Sequence, residues 1–122
     1  MKYRRLGKAG LQVSELSLGS WLTFGPQLDI DNVKKLMRQA FDAGVNFFDN
    51  AEVYAKGRSE ELMGEALEEY RREDLVVSSK IFWGGSGPND EGLSWKHLME
   101  GTNNALRRLR LDYVDLLFCH RP

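Results

Sequence analysis

The chain has 122 residues, 42% hydrophobic and 29% charged, a globular profile that excludes collagen-like, disordered and membrane-spanning classes. Seventeen basic against eighteen acidic residues leave a net charge of −1, which offers no electrostatic footprint for nucleic acid or an anionic membrane surface. The single cysteine, Cys119, cannot form an internal disulfide, and MKYRRLG lacks the apolar stretch of a secretory signal, so a cytoplasmic protein without direct membrane insertion is expected.

Along the chain, segments of strand character alternate with segments of helical period. Lys2–Leu6 and Leu11–Ser14 flank a Gly-Lys-Ala-Gly turn and predict a short hairpin. Leu16–Gly19 reads as a brief apolar strand. Over Asp29–Ala43 the apolar positions Ile30, Val33, Leu36, Met37, Ala40 and Phe41 recur at helical spacing, and Gly44 stops the pattern. NFFD, ending at Asp49, is the next strand. Ser59 is then expected to cap a helix with Leu62, Met63, Ala66 and Leu67 as its core stripe. Leu75–Ile81 is a third strand. Ser94 opens a helix with Leu98, Met99, Thr102, Ala105, Leu106 and Leu109 on one side, and Tyr113–His120 is a fourth strand. Such βα alternation predicts an α/β fold with a parallel sheet in one structural unit.

Polar residues close these strands. Asp49 and Lys80 end successive strands 31 residues apart, about one βα repeat. His120 ends the next, after a longer step that accommodates the insert Ile81–Gly92. Side-chain alternation puts Phe47 and Asp49 on one face, with Val76, Ser78 and Lys80, and with Val114, Leu116, Phe118 and His120. If that face is the inner one, three ionisable groups converge at the carboxyl ends of parallel strands, where α/β folds do chemistry. Plainer readings stand beside these. Asp49 could be a turn residue or helix cap, Tyr54 a rim phenol, Lys80 a snorkelling surface lysine and His120 a satisfied core histidine. Gly84, Gly85 and Gly87 match no phosphate-binding fingerprint and read as a flexible loop beside the site. Cys119 reads as a buried thiol, His97 as a surface residue, and Arg107, Arg108 and Arg110 as cations complementing a helix dipole.

Asp49, Tyr54, Lys80 and His120 in a βα repeat resemble the tetrad of the aldo-keto reductases. LGKAGLQVSELSLGSWLTFG, FFDNAEVY, SEELMGEAL, VVSSKIFWGG and RLRLDYVDLLFCHRP each resemble the corresponding family segment, in order along the whole chain. SWLTFG with Gln27, together with KIFWGG, resembles the branch that holds the β subunits of voltage-gated potassium channels and their bacterial relatives. Animal β subunits carry Asn where this chain has His120, which aligns it with the reductase side of that branch. The resemblance implies the N-terminal half of a (β/α)₈ TIM barrel, residues 1–122 being a hairpin and the first four barrel strands with the C-terminal half absent. An open sheet of this kind invites pairing of copies, so a homo-oligomer is a further expectation.

The implied activity is reduction of an aldehyde or ketone by hydride from NADP(H), with a small carbonyl compound as substrate. Tyr54 is the implied proton donor, Lys80 the cation beside it, Asp49 the partner of Lys80, and His120 the group that orients the carbonyl oxygen. Ser20, Trp21, Gln27 and Asp49 match cofactor positions, and Trp21 and Trp83 match the substrate pocket. Most family contacts to the adenine and 2′-phosphate come from the second half of the barrel, so weak activity or none is expected of these residues alone. Two alternatives remain: a non-catalytic, nicotinamide-sensing regulatory subunit, and a Schiff-base lyase using Lys80 as nucleophile.

Overall fold

A computed structural model describes residues 1–122. An antiparallel hairpin, β1 (Tyr3–Arg5) and β2 (Gln12–Ser14), precedes four parallel strands: β3 (Leu18–Gly19), β4 (Phe47–Asp49), β5 (Val76–Ile81) and β6 (Leu116–Cys119). Helices α1 (Ile30–Asp42), α2 (Arg58–Leu67) and α3 (Trp95–Leu109) connect them. The sheet order follows the chain, β3-β4-β5-β6, as consecutive crossovers to a neighbouring strand require.

Local chemistry explains where the helices begin. The Asp29 Oδ1 accepts from the Asn32 backbone N–H at 3.0 Å and caps α1, satisfying a donor that the first turn leaves unpaired. Ser94 does the same for α3, its hydroxyl accepting from the His97 N–H at 3.1 Å. Ser59 does not cap α2. That helix is entered at Gly57, whose φ of 91° no L side chain adopts easily, and Ser59 lies wholly buried in the first turn with its hydroxyl unpartnered. The chain reaches α2 directly from a 3₁₀ turn over Tyr54–Gly57, which leaves no extended residue to serve as a polar cap.

Register sorts the strand side chains. Phe47 pairs with Val76, Asp49 with Ser78, Ser78 with Leu116 and Lys80 with Phe118, so these residues share the face away from the helices. Phe48 and Val77 point the other way, into a core with Phe24, Val33, Met37, Met63 and Leu109. The α3 stripe is rotated from the expected one. His97, Gly101, Ala105 and Leu109, at four-residue steps, are buried, whereas Met99 is exposed and Leu98, Thr102 and Leu106 flank the stripe. Small residues at the centre of that stripe let α3 approach the sheet closely, which decides the rotation over the larger apolar residues. Within residues 1–122 Cys119 is exposed rather than buried, β6 being the last strand they contain.

α2 and α3 meet at Gly64. A Cβ there would lie 2.5 Å from the Arg108 carbonyl oxygen and 2.7 Å from the Leu109 carbonyl carbon, and neither backbone atom can swing aside. Gly64→Ala in the full-length protein is expected to cost about 3 kcal/mol through overpacking, read as a loss in chemical-denaturation stability. Unchanged stability would mean that the two helices are not in contact.

Candidate active site

Asp49 is the last residue of β4, and its carboxylate is held from two sides. Oδ1 accepts from the Ser78 hydroxyl at 2.6 Å, and Oδ2 accepts from Lys80 Nζ at 2.6 Å. Ser20, wholly buried after β3, donates its hydroxyl to the Asp49 backbone oxygen at 2.9 Å and ties the strand end down. Lys80 donates twice more, to the Asn50 carbonyl at 2.8 Å and to the Tyr54 hydroxyl at 3.0 Å. An ammonium has three N–H groups, and here all three are used.

Tyr54 is brought back over Lys80 by the turn that follows it. Ala55 and Lys56 hold left-handed φ values of 49° and 54° before Gly57, and for non-glycine residues such geometry costs about 1–2 kcal/mol each. The ring is 9% exposed, stacks against Trp21 at 6.2 Å between centroids, and lies with the Lys80 ammonium 4.7 Å from its centre. His120, just past β6, completes the group: its ring meets Tyr54 edge-on at 5.8 Å and Trp83 at 5.1 Å. Burial pushes the His120 pKa below its ordinary value, and the Lys80 charge pushes it further the same way.

The sign of that shift gives a pH prediction. A base whose folded pKa is depressed adds stability above its ordinary value of about 6.5, and that stability is lost as pH falls through the folded value. The His120 proton signals are expected to titrate with a midpoint below 6.5. Lys80→Met should move the midpoint part of the way back, since burial, the larger cause, remains. A midpoint above 6.5 in the unsubstituted protein would contradict this arrangement.

The structure therefore brings together Asp49, Tyr54, Lys80 and His120, with Trp21 and Trp83 on either side. Gln27 is exposed in the turn closed by the Phe24–Leu28 bridge, and its side chain makes no hydrogen bond to the group. The glycine stretch is an ordered turn rather than a slack loop. The Gly84 N–H donates to the Asp90 carbonyl at 2.7 Å, the Gly87 N–H donates to the Asp90 carboxylate at 2.9 Å, and Trp83 bridges to Glu91.

Behind the site lies a buried polar layer that the sequence reading passes over. The Glu52 carboxylate accepts from the Phe82 N–H at 2.7 Å and faces His97 Nε2 at 2.9 Å, and both side chains are buried. His97 is thus a core residue and not a surface one. Glu60 accepts from the Ser79 hydroxyl at 2.5 Å and from Arg108 Nε at 2.6 Å. Burial raises the Glu60 pKa against the opposing pull of Ser79 and Arg108. Arg108 accordingly has a specific partner, and the helix dipole alone does not account for it. One signal was available for His97: it stands four residues before Gly101 and eight before Ala105, on the line that becomes the buried stripe.

The Aldo/keto reductase family model matches residues 15–122. A protein of Arabidopsis thaliana named "Probable voltage-gated potassium channel subunit beta" is 61% identical over 124 aligned positions, covering 100% of this chain and 38% of the relative. Its namesake from Oryza sativa subsp. japonica is 60% identical, with the same coverage. The fold matches the crystal structure of a thermostable aldo-keto reductase in complex with the inhibitor epalrestat. The TM-score is 0.86 at 34% identity, over 100% of this chain and 43% of that one. The four parallel strands and their helices thus form part of a TIM barrel, and the chain spans 38% of the length of the curated relatives. No helix is long and apolar enough to cross a membrane.

Proposed function

Because this chain belongs to the aldo/keto reductase family, we propose that it carries the catalytic centre of an NADPH-dependent reduction of aldehydes or ketones to alcohols. The observation that carries the reading is Lys80 Nζ, 3.0 Å from the Tyr54 hydroxyl and 2.6 Å from the Asp49 carboxylate. The residues present fit a nicotinamide. Trp21 stands 65% exposed beside Tyr54, an open aromatic wall suited to a flat ring, and the inner sheet face ends there in polar groups. NADPH, when bound, would supply the hydride for the carbonyl carbon.

The chain's own groups do the rest. Negative charge builds on the carbonyl oxygen during reduction, and Tyr54 Oη delivers a proton to it. Lys80, donating to the same Oη, stabilises the charge left on the phenol as that proton departs. Asp49 fixes the ammonium in place, so no reorganisation is needed at that moment. His120, held neutral by burial and by Lys80, is a hydrogen-bonding group for the carbonyl oxygen that adds no competing charge. Trp83, edge-on to His120, lines the substrate side. Mixing the full-length protein with NADPH and a panel of aldehydes and ketones is expected to give nicotinamide oxidation and stoichiometric alcohol. NADPH that binds yet stays unoxidised across the panel would defeat the reading. Residues 1–122 alone are expected to turn over poorly, since this segment offers no assigned contact for the adenine end.

A second reading rests on the names of the plant relatives, each "Probable voltage-gated potassium channel subunit beta", at 61% and 60% identity. In it the same site senses the nicotinamide state for a membrane channel and turns over little. Co-purification with a potassium channel, without reductase turnover, would select this reading over the first.

A further inference from the structure

The Glu52–His97 pair has no part in the chemistry above, yet one carboxylate oxygen joins three segments that meet at the site. Glu52 lies two residues before Tyr54, and its own N–H donates to the Lys80 carbonyl at 3.2 Å, extending the β4–β5 ladder past the strand end. Its Oε1 accepts from the Phe82 N–H, two residues beyond Lys80 and next to Trp83. The same Oε1 meets His97 Nε2 in the first turn of α3. The loop carrying Tyr54, the strand end carrying Lys80 and the helix behind them are therefore pinned at a single atom.

The surroundings leave that atom little freedom. The Glu52 and His97 side chains are 2% and 6% exposed. A Cβ at Gly84 would lie 2.5 Å from His97 Cε1 and 3.0 Å from Glu52 Oε2, and one at Gly101 would lie 3.0 Å from Oε2. Two glycines thus make the room that the pair fills. A buried carboxylate is costly unless its hydrogen bonds are made, and an apolar residue of similar size would pack here without that cost. Packing alone does not explain the choice of a hydrogen-bonding group.

We infer that Glu52 and His97 are positioning residues for the Tyr54–Lys80 pair: Glu52, bonded to Phe82 and His97, holds the Tyr54 loop at hydrogen-bond distance from Lys80. The inference rests on the catalytic reading for its kinetic consequence, but its geometric consequence stands without it. A misplacement of about 1 Å can cost about 10²-fold in rate.

The test uses Glu52→Leu, Glu52→Gln and His97→Leu in the full-length protein. Glu52→Leu is expected to lower kcat about 10²-fold with little change in the affinity for NADPH. Glu52→Gln keeps an oxygen that accepts from both Phe82 and His97, so it should restore most of kcat. His97→Leu leaves the Phe82 bond in place and should cost about tenfold, a variant that serves if Glu52→Leu does not fold. Crystal structures of the variants give a readout independent of turnover: the Lys80–Tyr54 separation should stay near 3.0 Å with Gln and open beyond hydrogen-bond range with Leu. An unreactive parent protein whose Leu variant shows that opening would refute the catalytic reading and uphold the positioning role. A folded Glu52→Leu variant with unchanged separation and kcat, or a Gln variant no better than Leu, would overturn the inference.

Discussion

Tyr54→Phe is expected to lower kcat by about 10³-fold while leaving NADPH binding nearly unchanged. The substitution is narrow. A phenylalanine ring keeps the stacking on Trp21 at 6.2 Å and the edge contact with His120 at 5.8 Å, and only the hydroxyl that meets Lys80 is lost. Steady-state rates of nicotinamide oxidation, paired with a fluorescence titration of the cofactor, would separate the two effects. Loss of kcat with retained binding is the signature of a group used only in the transition state. A Tyr54→Phe rate within about tenfold of the parent would remove Tyr54 from the role of proton donor.

Lys80→Met should act on both rate and stability. The methionine fills much of the same space but donates nothing, so Tyr54 loses the cation that would stabilise it as the proton leaves, a change expected to cost about 10²- to 10³-fold in kcat. Asp49 loses its ion pair and keeps only the Ser78 hydroxyl on its side chain. The two side chains retain 17% and 25% exposure, so the loss is smaller than for a fully buried pair, about 2 kcal/mol by chemical denaturation. Adding Tyr54→Phe to Lys80→Met should lower kcat little further, because the two residues act as a unit. Multiplicative losses in the double variant would show that they act separately.

Much of this arrangement is legible in the sequence, and the reason is physical. Strand alternation fixes which residues share a face, so Asp49, Lys80 and His120 could be set together before any coordinates, and the register of β4, β5 and β6 agrees. The helices follow from apolar spacing and from the caps at Asp29 and Ser94. What escaped notice depends on contacts distant in sequence. Glu52 and His97 are 45 residues apart, and apart from the four-residue step from His97 to Gly101 nothing local distinguishes them from solvated polar residues. The same holds for Glu60 and Arg108, 48 residues apart. The α3 stripe went astray because large apolar residues outweigh glycine and alanine in any hydrophobic pattern, yet closeness to the sheet favoured the small ones. The Ser59 cap failed because left-handed residues at Ala55 and Lys56 carry the chain straight from one turn into the next, a geometry that their side chains do not announce.

The central claim is that this site passes hydride and proton to a carbonyl, and isotope transfer tests it most directly. The full-length protein would be loaded with NADPH carrying deuterium at the transferred position and mixed with an aldehyde for a single turnover, and the alcohol analysed by mass spectrometry. The account predicts one deuterium on the carbinol carbon for each cofactor consumed. Bound cofactor with the aldehyde recovered unreduced, or alcohol formed without the label, would contradict it.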